Sequence, residues 1–581
     1  MQRNALTFIV CWFLFLGQLP AGLGQEFVPL KYWVSFTDKQ GTPFEITRPQ
    51  AFLSQRAIDR RNRQGILPDE NDLPVNPQYI QTLLEDPEVA VFYTSRWFNG
   101  VLIEAPQPAS VERIRLLPFV EQVTYVKPAV NSSFSHMRHH HLPDSCEDNN
   151  HPNPSGGNDL KNGSVSGYTT DLSFSDPDYG LSRNQIEMIN GQALHKDGYW
   201  GDGKMIAVLD AGFLRVDQMQ GLDHLWQNGR IAGFHDFVDP DENFFLGHNH
   251  GTLVLSVMAT VLPAMVGTAP EADYLLLQTE DPASEFLIEE YNWLAGAEYA
   301  DSAGADIINS SLGYTSFDDP TQNHSYQDLN GRTTVITRAA NMAFEKGILV
   351  VNSAGNYGNG QWQYIGSPAD SFGALSVGAV DSMGVRVPFS SLGPAADGRI
   401  KPEVMAQGSM VIVETPTGSL GRVGGTSFAS PIIAGLVACL WQKHPERTAE
   451  MIRRAIIRSA SRFLYPDTLY GYGIADFALA DRLLKNDFDP TEEPLVLFPN
   501  PFNQHSVLSF YSEADQAIRL DIFDATGKML YSQENIRVNA GYNNMMPFRG
   551  LDLMAQGMYL VRISYHDQSA ASQVLKAIKA W

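Results

Sequence analysis

Met205-Ile206-Ala207-Val208-Leu209 is a stretch of five residues with no polar side chain. A strand with one wet face alternates apolar and polar residues, so an unbroken apolar strand has to be covered on both sides. Runs of the same kind recur at Tyr274–Leu277, Asp306–Asn309, Ile348–Val351, Ala374–Val380 and Met410–Val413. Helix-compatible stretches fall between several of them, including Glu285–Ala303 and Thr334–Lys346. Short apolar strands alternating with helices predict an α/β fold: a parallel sheet with helices on both faces. In such sheets, reacting groups collect at the carboxyl ends of the strands.

Those ends carry chemistry. The first strand finishes Leu209-Asp210-Ala211-Gly212, another leads into Ser310-Ser311-Leu312-Gly313, and a third finishes Asn352-Ser353-Ala354-Gly355-Asn356. His248-Asn249-His250-Gly251-Thr252 precedes a helical apolar run, Leu253 to Met258. Gly425-Thr426-Ser427-Phe428-Ala429-Ser430-Pro431 opens a helix that is apolar almost all round, with Phe428, Ile432 and Leu436 at helical spacing. Pro431 is expected in the first turn, where its missing N–H leaves no intrahelical bond unmade. A serine at that helix mouth sits where backbone N–H groups and the dipole favour developing negative charge. Singly, each residue has a plain structural reading: Ser427 as an N-cap, Asp210 as a turn former, His250 as a loop histidine, Asn356 in a Gly-Asn turn.

The flanks differ from this regular middle. From Gln25 to Val130, eleven basic residues meet thirteen acidic ones, so nearly all of the net charge of −24 lies later in the chain. Strand-like runs at Tyr32–Phe36, Val89–Tyr93, Val101–Ile103 and Gln122–Val126 alternate with helix-compatible stretches, Ala51 to Arg63 and Ser110 to Leu117. They predict a separate small α+β unit over 25–130. Its Arg60-Arg61-Asn62-Arg63 cluster reads as a solvated helix face rather than a processing site. Residues 131–180 are rich in Ser, Asn, Gly, Asp, His and Pro and read as a linker; His136, His139, His140 and His141 lack spaced partners for a metal. The α/β unit spans 181–485. A second linker covers 486–494. Alternating strands at Val507–Tyr511, Ile518–Phe523, Met529–Tyr531 and Met558–Ile563 then predict an all-β sandwich over 495–581.

Arg3, the apolar core Ala5 to Leu16 and the small residues that follow form a secretory signal, residues 1–24, and no later stretch reads as a membrane-spanning helix. Cys11, Cys146 and Cys439 are too few for a disulfide framework, and a Cys146–Cys439 bridge is not expected. The strongly negative charge argues against nucleic acid and anionic membrane surfaces as partners.

Three segments resemble the signatures of subtilisin-like serine proteases (peptidase family S8): Ile206 to Gly212, His250-Gly251-Thr252 and Gly425 to Pro431. Tyr472-Gly473-Ile474-Ala475-Asp476 resembles the segment that closes that domain. The order Asp, His, Ser also fits, and alanine at 429 excludes the G-x-S-x-G elbow of α/β-hydrolases. The resemblance implies peptide-bond hydrolysis, with Ser427 as nucleophile, His250 as general base and Asp210 orienting the imidazole. It assigns Asn356 and the Ser427 N–H to an oxyanion hole. Ser311, Leu312 and Gly313 would bind an extended peptide substrate as an added strand, with Ala354 and Gly355 beside it. Ala211, Leu253 and Tyr314 depart from the family's usual Thr or Ser, His and small residue.

No cofactor is required by this chemistry. Calcium is common in the family; Asp236, Asp239, Asp241 and Glu242 supply oxygens, but no spacing specifies a site and no metal is assigned. The 25–130 unit resembles, in pattern, the family's inhibitory propeptide. Phe498-Pro499-Asn500-Pro501-Phe502, Ile522 to Lys528 and Gly557 to Val561 resemble the C-terminal sorting domain of type IX secretion cargo, which implies that export machinery as a partner and passage across a Gram-negative outer membrane. An accessory binding sandwich is the alternative for that segment. For the whole chain, the alternatives are an idle adhesion scaffold and an esterase or peptide transferase sharing the acyl-enzyme.

Overall fold

The computed structural model describes residues 29–129, 178–240, 243–485, 495–498, 502, 506–512, 515–538, 541–545, 554–565 and 572–579. The signal segment, the histidines at 136–141, Cys146, Asp241 and Glu242 lie outside them. In the N-terminal unit, strands β1 (Pro29–Phe36), β2 (Ala90–Ser95), β3 (Gly100–Glu104) and β4 (Val120–Pro128) form one antiparallel sheet in the order β2-β3-β1-β4. Helix α1 (Gln55–Arg63) starts at an N-cap, Ser54, whose side chain accepts the Ala57 N–H.

The large sheet has seven strands, all parallel: β5 (Met205–Asp210), β6 (Ile231–Asp236), β7 (Asp273–Gln278), β8 (Ile307–Ser310), β9 (Leu349–Ser353), β10 (Leu375–Val380) and β11 (Val404–Gln407). Their spatial order is β11-β10-β9-β8-β5-β7-β6, so the winding reverses between β5 and β8. That crevice at the strand ends is where such sheets place their sites. Strand β5 explains its composition directly. Ile206 and Val208 pack into the core shared with α2 (His250–Ala259) and α5 (Thr426–Lys443). Ala207 and Leu209 point the other way, into the core under α3 (Ile288–Ala303) and α4 (Val335–Glu345).

Two expectations need correction, and β6 is a strand the sequence reading does not include. Val411–Glu414 forms a strand, but it pairs antiparallel with Leu420–Val423 outside the main sheet. Strand β6, at the sheet edge, escapes a hydrophobicity reading because alternate residues face water. Arg60 and Arg61 are not solvated: each is 1% exposed. Arg60 donates to Asp301 at 2.5 Å, Arg61 to Asp301 at 2.6 Å and to Asp72 at 2.8 Å, and Arg96 to Asp301 at 2.5 Å. Asp301 lies on α3, so three guanidiniums from the N-terminal unit converge on one carboxylate of the α/β unit. Burial opposes its charge, yet the three arginines hold its carboxyl below the usual range. Trp33 stacks on Tyr291 at 4.6 Å, and Glu298 accepts the Ser95 hydroxyl and the Arg96 N–H.

The C-terminal strands form two antiparallel sheets, of three and four strands, around a core that includes Leu508, Phe510, Leu520 and Ile563. Among the described residues, no helix is long and apolar enough to cross a membrane.

Removing one partner of a buried ion pair strands the other, a loss of about 3–5 kcal/mol. Asp301→Asn is therefore expected to lower the unfolding free energy of the full chain, measured by urea titration, by an amount in that range, while Asp59→Asn, on the exposed side of α1, leaves it within about 0.5 kcal/mol.

Candidate active site

The strand register brings the candidate residues to one edge of the sheet. Leu209 is level with Ser310 on β8, and Ser310 with Asn352 on β9. Asp210, Ser311 and the Ala354-Gly355-Asn356 turn therefore leave the sheet side by side.

Asp210 is wholly buried, and its Oδ1 accepts the Ala211 N–H at 2.8 Å and meets His250 Nδ1 at 2.7 Å. Its Oδ2 is buried without a partner among the described residues. His250 is the first residue of α2. A side chain at the next position, Gly251, would bring its Cβ within 2.9 Å of Asp210 Cβ and 2.6 Å of the Gly212 carbonyl, so glycine is what lets the helix start this close to β5. Burial pulls the imidazole pKa down, but the charge and hydrogen bond of Asp210, with the charge of Glu280, carry it above its usual 6.5.

Helix α5 begins after Gly425, whose φ of +150° only glycine adopts easily. Ser427 is its second residue and 8% exposed. Pro431 is thus the sixth residue, inside the helix and not in the first turn as the sequence suggests. A proline there cannot donate to the carbonyl four residues earlier, which belongs to Ser427. The Ser311 hydroxyl takes that carbonyl at 2.8 Å, and the Ser427 hydroxyl faces the Ser311 carbonyl at 3.4 Å. Among the described residues, no hydrogen bond joins Ser427 to His250; the rings of His250 and Phe428 lie 5.8 Å apart.

Asn356 is held by its oxygen. Its Oδ1 accepts the Thr426 N–H at 2.9 Å and the Thr426 hydroxyl at 3.0 Å, leaving Nδ2 as the free donor close to Gly425. Thr426 Oγ1 in turn accepts the Gly355 N–H at 3.2 Å. Gly355 has φ +104°, which turns the chain so that residue 356 faces α5. Ala354 is buried behind it. Leu312 and Gly313 already have partners for their carbonyls: Asn352 Nδ2 at 3.2 Å and the Tyr357 hydroxyl at 2.9 Å. The Tyr357 cap and the Thr426 clamp were not legible from the motifs, since both depend on which loops meet across the cleft.

Tyr314, one of the departures, donates its hydroxyl to Glu280 Oε2 at 3.2 Å. Glu280, Glu285 and Glu289 place carboxylate oxygens within 4.8 Å of one another. Asp236, considered above for calcium, instead folds its own loop, accepting the N–H groups of Val238 at 2.7 Å and Asp239 at 3.0 Å.

Residues 201–473 match the Subtilase family, 31–141 the peptidase S8 propeptide domain of Bacteroidota, and 496–577 a secretion system C-terminal sorting domain. Subtilisin NAT of Bacillus subtilis subsp. natto is 31% identical over 307 residues, which is 52% of this chain and 70% of that protein. Subtilisin E of Bacillus subtilis is equally similar over the same shares. A thermostable alkaline protease of Halalkalibacterium halodurans is 32% identical over 292 residues, 50% of this chain and 70% of its own length. The chain belongs to the subtilase family of serine endopeptidases. Its sorting domain and Bacteroidota propeptide mark it for export, to the medium or the cell surface.

Ser311→Ala removes the hydroxyl that donates to the Ser427 carbonyl, and an unsatisfied buried acceptor costs about 1–3 kcal/mol. The expected result is a thermal midpoint lowered accordingly, with Pro431→Ala in the same background recovering part of the loss by restoring the helix donor.

Proposed function

We propose that this chain is a secreted serine endopeptidase that cleaves peptide bonds through an acyl-enzyme, using Asp210, His250, Ser427 and Asn356. The observation that carries this reading is the 2.7 Å hydrogen bond between the buried Asp210 carboxylate and His250 Nδ1, at the mouth of the cleft where α5 presents Ser427. It fixes the tautomer that leaves Nε2 free to accept a proton.

Attack of Ser427 Oγ on the carbonyl carbon passes the hydroxyl proton to His250 Nε2. The Asp210 charge stabilises the resulting imidazolium, and Asn356 Nδ2 with the Ser427 N–H receives the oxyanion. One such donor is worth about 3–4 kcal/mol in the transition state. Collapse expels the amine, which takes the proton from His250; water then repeats the sequence on the ester. The 3.4 Å contact of Ser427 Oγ with the Ser311 carbonyl is at the weak limit of a hydrogen bond, so turning the hydroxyl toward His250 costs little. The peptide pairs along Ser311, Leu312 and Gly313 beside Ala354 and Gly355, displacing the Tyr357 hydroxyl from the Gly313 carbonyl.

The reading extends to a precursor: residues 1–24 a signal, 25–130 an inhibitory propeptide, 131–180 and 486–494 linkers, 181–485 the catalytic unit and 495–581 the sorting sandwich read by type IX secretion machinery. The wide buried interface on α3 supports the second of these.

A fluorophosphonate probe on the secreted protein is expected to label Ser427 alone, and Ser427→Ala to leave the precursor uncut; absence of labelling in a fully processed form defeats the reading. His250 acts as base only when neutral, so kcat/KM is lost as pH falls through its raised pKa, giving an acid limb centred above 6.5. Glu280→Gln deletes one of the charges raising that pKa, and the limb moves to lower pH.

A further inference from the structure

Beside His250 lies a group of carboxylates that take no direct part in the proposed hydrolytic steps, although the charge of Glu280 bears on His250. Glu280 follows β7, Glu285 precedes α3, and Glu289 is in the first turn of α3. Glu280 and Glu289 are buried and Glu285 is half-buried, so the group has one open side. Among the described residues, no lysine, arginine or histidine pairs with any of the three.

Glu289 is 0% exposed; one of its oxygens accepts the Phe286 N–H at 3.1 Å, and Oε2 is buried with no partner. An ionised oxygen left that way is costly unless a donor arrives. The three groups repel one another's charge: burial and neighbouring carboxylates push Glu289 and Glu285 well above the usual range and Glu280 up to about 7. The cluster touches the peptide-binding strand. Tyr314, which follows Gly313, bonds Glu280 at 3.2 Å, and Tyr357, which caps the Gly313 carbonyl at 2.9 Å, lies in the field of Glu285 and Glu280.

The rim supplies an independent indication of what such a site takes. Strand β4 carries Lys127 to Asp281, the residue after Glu280, with Nζ 2.7 Å from Oδ2. An extended chain thus already delivers an ammonium to this edge of the cleft.

We propose that Glu280, Glu285 and Glu289 form a pocket that selects peptide substrates with an arginine or lysine side chain at one fixed position near the bond to be cut. The inference rests on the endopeptidase reading above. A long aliphatic stem enters past Glu285, and its cationic head donates to Glu289 Oε2 and to the neighbouring carboxylates. The five donors of a guanidinium match this arrangement better than the point charge of an ammonium, so arginine is preferred.

The test expresses the full chain in an exporting host and uses the processed protein recovered from it, with a peptide library read by mass spectrometry. The expected result is enrichment of arginine, then lysine, at a single position relative to the cut. In matched peptides, the ratio of kcat/KM for arginine over glutamine at that position is about a hundredfold. Glu289→Gln drives that ratio toward one, and Glu285→Lys, on the open side where folding is least at risk, turns it in favour of glutamate. Cleavage with no basic preference overturns the inference while leaving the endopeptidase reading intact. Failure to cut any peptide in the library defeats that reading instead. Binding of calcium by the wild type but not by Glu289→Gln, with the arginine preference absent, also overturns the inference and makes the cluster a metal site.

Discussion

Strand β5 has water on neither face, and the rest of the α/β unit follows from that. Its alternate residues feed two separate cores, so helices have to close over both sides of the sheet. Closing them forces the chain to reverse its winding next to β5, and the reversal opens the crevice into which Asp210 projects. A carboxylate fully removed from water at that point needs a donor close by. The start of α2 provides one, and a glycine behind His250 is the condition for its approach.

The opposite wall of the crevice is fixed by something missing. Pro431 withdraws one helix hydrogen bond from a helix buried on every side, and the carbonyl so released is claimed by the hydroxyl of Ser311. This ties the backbone of Ser427, the proposed nucleophile, to the strand on which a substrate is proposed to lie. Thr426 does the same for the other side, holding Asn356 by its oxygen so that its amide hydrogens are left over. Ser427 is thus flanked by two side chains whose polar atoms are partly committed to α5 itself.

Much of this was legible in the sequence, and the reason is physical. Strands covered on both faces show as continuous apolar runs, so β5, β7, β8, β9 and β10 declare themselves, as do the small residues at their ends. Edge strand β6 is half wet and gives no such signal. The helix carrying Ser427 is apolar all round, which reveals its burial but hides its first residue, and so the sequence puts Pro431 a turn too early. Arg60 and Arg61 illustrate a deeper limit. A cluster of arginines on a helix looks the same whether it faces water or a buried aspartate some 240 residues later in the chain. Glu280, Glu285 and Glu289 are equally silent, since nothing in their spacing tells that three carboxylates point toward one space.

The convergence of Arg60, Arg61 and Arg96 on Asp301 has a consequence for the proposed release of the first unit. Held together, the two units cancel one another's charge in a place water does not reach. Parted, they leave on one side a fragment rich in bare guanidinium groups and on the other a helix whose carboxylates must be hydrated afresh. Separation is thus compensated largely by solvent, and the medium outside the cell, through its ions, becomes a participant in keeping the halves apart.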